Sequence, residues 1–206
     1  MLPASSDDLT SFTVAQTVPP QTACVFDDFI AADGTPIAGR VAPSGQTWTQ
    51  PTGVWQIQSN RAIDIANAVA ARTNLDGACG DAAVIAQVTM TNRKQPVCVT
   101  YLASGSDYFA ATYDKQANNG GRIQLLRVSS GATAVLGSVS GVGTPATFEL
   151  TLDGSTSGEL EVRFDGASII TYTLTPGDLA TFAGNPGVGL FANKNNKSSF
   201  DSITVL

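Results

Sequence analysis

Residues 185–206 read "NPGVGLFANKNNKSSFDSITVL", and residues 23–34 read "ACVFDDFIAADG". Both stretches carry a short run alternating apolar with polar residues, the signature of a half-buried strand. A terminal strand left at a sheet edge exposes unpaired N–H and C=O groups and invites aggregation. The two ends therefore read as partners. The prediction is that "VFDDFI" and "FDSITV" lie side by side in one sheet, with Phe26 and Ile203 in the same layer.

Between these ends the chain is a succession of short period-2 runs broken by turn residues. "AAVIAQVTMT" puts Val84, Ala86, Val88 and Met90 on one face, and "PVCVTYLA" does the same for Val97, Val99 and Tyr101. "ATFELTLDG" turns Phe148, Leu150 and Leu152 inward and Glu149, Thr151 and Asp153 outward. "GELEVRFDG" repeats the pattern with Leu160, Val162 and Phe164. About a dozen such strands separated by turns indicate an all-β, antiparallel two-sheet sandwich or jelly roll. One helical turn is expected, at Pro176–Phe182, with an acidic residue near its start. Residues 1–22 carry Pro3, Pro19 and Pro20 and one short alternating run, and read either as an N-terminal arm or as a disordered leader. The domain then runs over 23–206.

Composition narrows the chemistry. The 206 residues are 43% hydrophobic, enough for an ordinary core, but only 14% charged, with a formal net charge of −6. The 11 basic residues are scattered and form no stripe, which argues against a nucleic-acid partner. Histidine is absent, so the commonest general base and zinc ligand are missing. No run approaches the ~18 apolar residues of a membrane span, and the first residues do not read as a secretion signal. The cysteines are Cys24, Cys79 and Cys98. One bridge is open to them, but their odd number and wide spacing lead to an expectation of free thiols in a reducing cytosol.

Several stretches in order resemble the concanavalin A-like (laminin G-like) lectin and glucanase domains. "FDDFIAADGTPIAGR", "GQTWTQPTGVWQIQSNRA", "SGSDYFAATYD", "GRIQLLRV", "FELTLDGSTSGELEVRFDG" and "GNPGVGLFANKNNKSSFDSITV" carry the likeness, from Cys24 to Leu206. The resemblance implies a jelly roll whose first and last strands are neighbours. It implies core positions for Trp48 and Trp55. The Gly-, Ala- and Thr-rich strands look most like domains of bacteriophage structural proteins, and are also similar to domains appended to polysaccharide enzymes.

The hydrolases of this fold use carboxylates at alternate positions of one strand. The nearest match is Glu159, Glu161 and Asp165, but Arg163 stands among them and would hold their pKa values down. No catalytic residue is therefore expected. Candidate sugar platforms are Tyr101, Tyr108, Phe109 and Tyr113, which cluster around one hairpin. No cofactor is expected beyond a structural calcium, for which Asp27, Asp28, Asp33 and Asp201 are the candidate ligands. Asn196-Lys197-Ser198 spells a glycosylation sequon that carries no weight here. The resulting expectation is a non-enzymatic virion protein of a bacteriophage, in head or tail, assembled in the host cytoplasm. It would be anchored to other virion proteins by residues 1–22, homo-oligomeric, and open to host-surface glycans. The alternative is a carbohydrate-binding module or a laminarinase-like glycoside hydrolase.

Overall fold

The computed structural model describes residues 24–66, 70–75, 83–90, 97–116, 120–154, 158–182, 187–193 and 198–206. The expected arm, Cys79 and most of the sequon lie outside these. The described strands are, in chain order, β1 (Val25–Asp27), β2 (Trp48–Thr52), β3 (Trp55–Ile57), β4 (Ala62–Asp64), β5 (Ala70–Leu75), β6 (Ala83–Met90), β7 (Val97–Leu102) and β8 (Tyr108–Asp114). They continue with β9 (Arg122–Ser129), β10 (Ala132–Ser140), β11 (Thr147–Asp153), β12 (Glu159–Phe164), β13 (Ala167–Thr173), β14 (Gly187–Asn193) and β15 (Ser198–Val205). The helix α1 spans Pro176–Phe182, as the sequence predicts. No described helix is long and apolar enough to cross a membrane.

The strands form two antiparallel sheets. The first runs β13-β12-β11-β6-β15-β4-β3, with β1 also on β15; the second runs β10-β9-β8-β7-β14-β5-β2. The ends meet as predicted, with Val25 opposite Val205, Phe26 opposite Thr204 and Asp27 opposite Ile203. Consecutive chain segments β14 and β15 enter different sheets, each between non-consecutive partners, which is the crossing that makes a jelly roll.

Local chemistry explains the hairpins. The β9–β10 turn is Ser130-Gly131 and the β12–β13 turn is Asp165-Gly166, and all four residues have positive φ between 49° and 80°. Two-residue loops of this kind match the right-handed twist of paired strands, and a glycine at the second position bears the conformation without strain. The core lies between the sheets. Val84, Ala86, Val88, Leu150, Leu152 and Ile203 of the first sheet face Val97, Val99, Ala111, Ile123, Leu125 and Leu190 of the second, all buried. The ring of Tyr113 crosses between layers to Phe148 and Phe164, at centroid distances of 4.5 and 5.1 Å.

Trp48 and Trp55 are core residues. Trp48 Nε1 donates to Asp27 Oδ2 at 2.8 Å, and Arg40 reaches the same carboxylate at 3.0 Å. A fully buried charge needs such partners, so Asp27 ties the 28–47 loop to the first strand. One expectation is corrected: Cys24 is disulfide-bonded, and the free described cysteine is the buried Cys98. A bridge at Cys24 is the kind of bond that persists in oxidising compartments.

Candidate functional site

Strand alternation assigns each sequence-predicted residue to a side. In β7 and β8 it turns Tyr101, Phe109 and Tyr113 into the core, where a ring cannot stack on a ligand. Tyr101 and Phe109 pack on Phe182 of α1, and the Tyr113 hydroxyl donates to Gly143 O at 2.9 Å. Tyr108, one position out of phase, faces away from the core and is part-exposed. The hairpin groups the four rings in sequence; the sandwich divides them between two environments.

The four aspartates are likewise separated. Asp27 is spent on Trp48 and Arg40. Asp28 caps Ile30 N at 3.2 Å and Asp33 accepts from Ser59 N at 2.7 Å. Asp201, on a bulge of β15, pairs with Arg61 at 2.5 Å and accepts from Thr89. Among the described residues no group of three or more His, Cys, Asp or Glu side chains converges as a metal site.

The outer face of the first sheet carries the carboxylates of β12. Asp153, Glu159, Glu161 and Thr171 line a cleft of about 160 Å3. Arg163 pairs with Asp153 at 3.0 Å and with Glu161. The Ser168 hydroxyl and then the Arg163 guanidinium hold Glu161 below the usual glutamate range. Asp165 is turned away, accepting from Glu149 N at 2.8 Å. Arg163 thus draws Asp153 and Glu161 into one closed group.

The outer face of the second sheet differs. Cross-strand register arranges it in rungs: Asn74, Gly189, Thr100, Ala110 and Leu126 form one. Arg72, Phe191, Cys98, Thr112 and Gln124 form the next, and Leu102, Tyr108, Val128 and Thr133 a third. Small side chains in the middle and larger ones around them leave a groove of about 230 Å3. Arg122 and Asp114, 3.5 Å apart, close one end. Burial pushes the Tyr108 phenol up, against the pull of Arg72, so its hydroxyl stays protonated at neutral pH.

Unsatisfied polar atoms lie beneath this face, closed off from solvent. Thr100 Oγ1 and Asn74 Oδ1 are buried without a hydrogen-bond partner among the described residues, and so are Nε of Arg72 and of Arg122. Buried polar atoms are nearly always partnered, and exceptions mark functional sites or ordered solvent. Gly189 permits this packing: a Cβ there would stand 2.7 Å from both Asn74 Oδ1 and Thr100 Oγ1. Arg72 begins one rung beyond Gly189 and ends past the rung on the other side. Its Nη1 donates to Gly105 O at 2.9 Å and its Cζ sits 5.7 Å from the Tyr108 ring centre. Its side chain therefore runs over the Gly189 rung toward Tyr108.

No protein-family model and no curated protein matches the sequence. Solved structures do match in fold. The carbohydrate-binding module CBM66 from Bacillus subtilis aligns at a TM-score of 0.55 and 12% identity, over 79% of this chain and 96% of its own. LamAcat from Zobellia galactanivorans aligns at 0.60 and 10%, over 89% and 97%. The GH43 protein BlXynB from Bacillus licheniformis aligns at 0.59 and 11%, over 88% of this chain but 39% of its own. The expectation that the chain is not an enzyme is corrected by these last two: glycoside hydrolases share its architecture as closely as a binding module does. The paired ends, the two seven- and eight-stranded sheets and these neighbours together show that the chain has the concanavalin A-like jelly-roll fold.

Proposed function

We propose that the protein recognises carbohydrate in the groove on the outer face of its second sheet. The observation that carries this is the lining. Part-exposed Tyr108 and Phe191 line it together with Thr112, Gln124, Thr133 and the Asp114–Arg122 pair. A sugar presents both kinds of surface these would satisfy: C–H faces that pack on rings and hydroxyls that hydrogen-bond. The fold-level neighbours include a carbohydrate-binding module and glycoside hydrolases, which supports the same reading. The virion placement expected from the sequence draws no support from them. Arm docking to virion partners would fall on residues outside the described structure. The test is affinity electrophoresis of the full chain against a polysaccharide panel. Retardation by at least one polymer that is lost in Tyr108→Ala, with the melting temperature unchanged, supports the groove; retardation that survives the substitution removes it.

A second reading is hydrolysis in the same groove, favoured by the catalytic domains of this architecture and by Asp114 at the groove's end. A glycosidase needs two carboxyls facing one bond, and Asp114 is the carboxylate that the described lining supplies. Release of reducing ends from a bound polymer, abolished by Asp114→Asn with binding retained, would establish it. Binding without release in the unsubstituted protein would exclude it for that polymer.

A further inference from the structure

We propose that the groove takes an uncharged pyranose bearing a methyl group, and that Leu126 and Val135 receive this methyl on the β10 side. This inference rests on the groove being a carbohydrate site.

Val135 on β10 is 56% exposed. A single exposed valine needs no explanation, but this one is not single. Its direct cross-strand partner is Leu126, which lines the groove and is itself part-exposed. Directly opposed residues of an antiparallel pair hold their Cβ atoms about 5 Å apart on one face of the sheet. The next rung pairs Thr133 with Val128, and both of these line the groove. Leu126 and Val135, with Val128 beside them, therefore form an aliphatic ledge along one side. β10 is the outermost strand of its sheet. Natural edge strands are commonly blunted with charge, yet "ATAVLGSVS" carries none and keeps apolar surface at the ledge.

The other apolar surface of the groove is of a different kind. Tyr108 and Phe191 present rings, which pack on the flat C–H face of a sugar. Branched aliphatic side chains offer no flat face, and their close contacts suit a compact apolar group such as a methyl. Ala110 separates Tyr108 from the ledge. It stands directly opposite Leu126 and next to Tyr108 on the outward side of β8. Its own side chain is a single methyl, so room for a pyranose lies between the tyrosine ring and the ledge. Gln124 and Thr133 flank the Leu126–Val135 rung on either side, where they can bond hydroxyls of the same ring.

Charge narrows the occupant further. The charged groups of the described lining are Asp114 and Arg122, and they pair with each other at the groove's end. Nothing in that lining is left to balance an acidic or a basic sugar. Two kinds of uncharged pyranose carry a methyl group: a 6-deoxyhexose, on its ring carbon, and an N-acetylhexosamine, on its acetamido group. The ledge fits the chemistry they share.

The test is isothermal titration of the full chain with methyl glycosides in matched pairs. These are 6-deoxy-D-glucose against D-glucose, L-fucose against L-galactose, L-rhamnose against L-mannose, and N-acetyl-D-glucosamine against D-glucose. The methyl-bearing member of at least one pair should bind about fourfold tighter or more. Burial of one apolar carbon supplies about that factor, and the parent's hydroxyl would face aliphatic groups that cannot bond it. The pair that shows the preference separates a deoxy sugar from an acetamido sugar. Val135→Thr exchanges a methyl for a hydroxyl at an exposed position and should erase the preference, with circular dichroism melting to check that the variant folds. The comparison within pairs needs no variant and decides the matter even if that one does not fold. Equal or tighter binding of the parent sugars, lost in Tyr108→Ala, overturns the methyl preference and leaves the carbohydrate groove standing. A preference that survives Val135→Thr in folded protein places the methyl away from the ledge and overturns the inference as well. Failure of every glycoside to bind folded protein overturns it too, and failure across the wider polysaccharide panel removes the groove reading with it.

Discussion

The two outer faces of the sandwich are made of the same strand type, yet they are chemically opposite. On the first sheet the polar groups satisfy each other. Gln87 Nε2 donates to Glu149 at 2.8 Å, Thr89 and Arg61 share Asp201, and Arg163 holds Asp153 and Glu161. On the second sheet, Thr100 Oγ1, Asn74 Oδ1 and the Nε atoms of Arg72 and Arg122 are buried without a partner among the described residues. A face whose valences are closed offers a ligand nothing that water does not already compete for. A face that lines a groove with part-exposed rings beside threonine and glutamine side chains offers a ligand both apolar and hydrogen-bonding surface. The difference teaches that density of charge is a poor guide to a site in this fold, and unspent hydrogen-bonding capacity a better one.

The sharpest way to break the comparison is to separate both outer faces from the layer between them. Tyr113→Ala removes a fully buried ring packed on Phe148 and Phe164 and a hydroxyl bonded to Gly143 O. It should cost about 3–5 kcal/mol in urea unfolding, as large-to-small core changes do. Its partner in sequence, Tyr108→Ala, should barely move the unfolding midpoint. If the two variants are equally destabilised, the division of this hairpin into core and groove is wrong.

Gly189→Ala tests the packing beneath this face. Its Cβ would sit 2.7 Å from Asn74 Oδ1 and Thr100 Oγ1 and 3.0 Å from Thr73 O, the last a backbone atom. The expected loss is about 1–3 kcal/mol by overpacking, with loss of any glycan binding in affinity electrophoresis. Tyr108→Ala comes next, with binding about tenfold weaker, the value of one aromatic contact of roughly 1.4 kcal/mol. Arg163→Gln, on the opposite face, should leave binding unchanged and lower stability by less than about 1 kcal/mol, since its side chain is 40% exposed and solvent screens the pair. A change in binding with Arg163→Gln would show that the first face takes part.

The smallest effect is in acid. Glu161 has its folded-state pKa lowered, so its contribution to stability is fully present above the unfolded glutamate value near about 4.3. It is lost as pH falls through the lowered folded value. Glu161→Gln should therefore reduce the loss of stability between pH 5 and pH 2 (about that window), read from urea midpoints at each pH. An unchanged slope would mean that the Ser168 and Arg163 contacts do not persist in solution.

Much of the fold was legible because alternation is a local property. Val84, Ala86, Val88 and Met90 are all buried, as their spacing requires, and Phe26 and Ile203 share a sheet because both ends needed partners. On this face of the second sheet, Tyr108 was legible and the surroundings of Arg72 and Asn74 were not. "ARTNL" alternates Arg72 and Asn74 with Thr73 and Leu75, so their common side could be read. That this side faces Gly189 and Thr100, from strands 115 and 26 residues further on if counted from Asn74, could not. The candidate platforms Tyr101, Tyr108, Phe109 and Tyr113 span both sides of the hairpin: alternation sets Tyr108 opposite Phe109 and Tyr113, and only the packing of the sheets shows which side is the core.

The sequence by itself determined the two-layer sandwich, the inward set of each long strand, the helix at Pro176–Phe182 and the self-neutralising chemistry around Arg163, because each follows from neighbours within a few residues. Tertiary structure alone decided which polar atoms would be left unpaired. That is a property of pairing between strands far apart in the chain, and whether an arginine meets a carboxylate depends on register across a sheet. Arg163 found Asp153 and Glu161 on its own sheet; Arg72 was carried to a face where the acids were already taken.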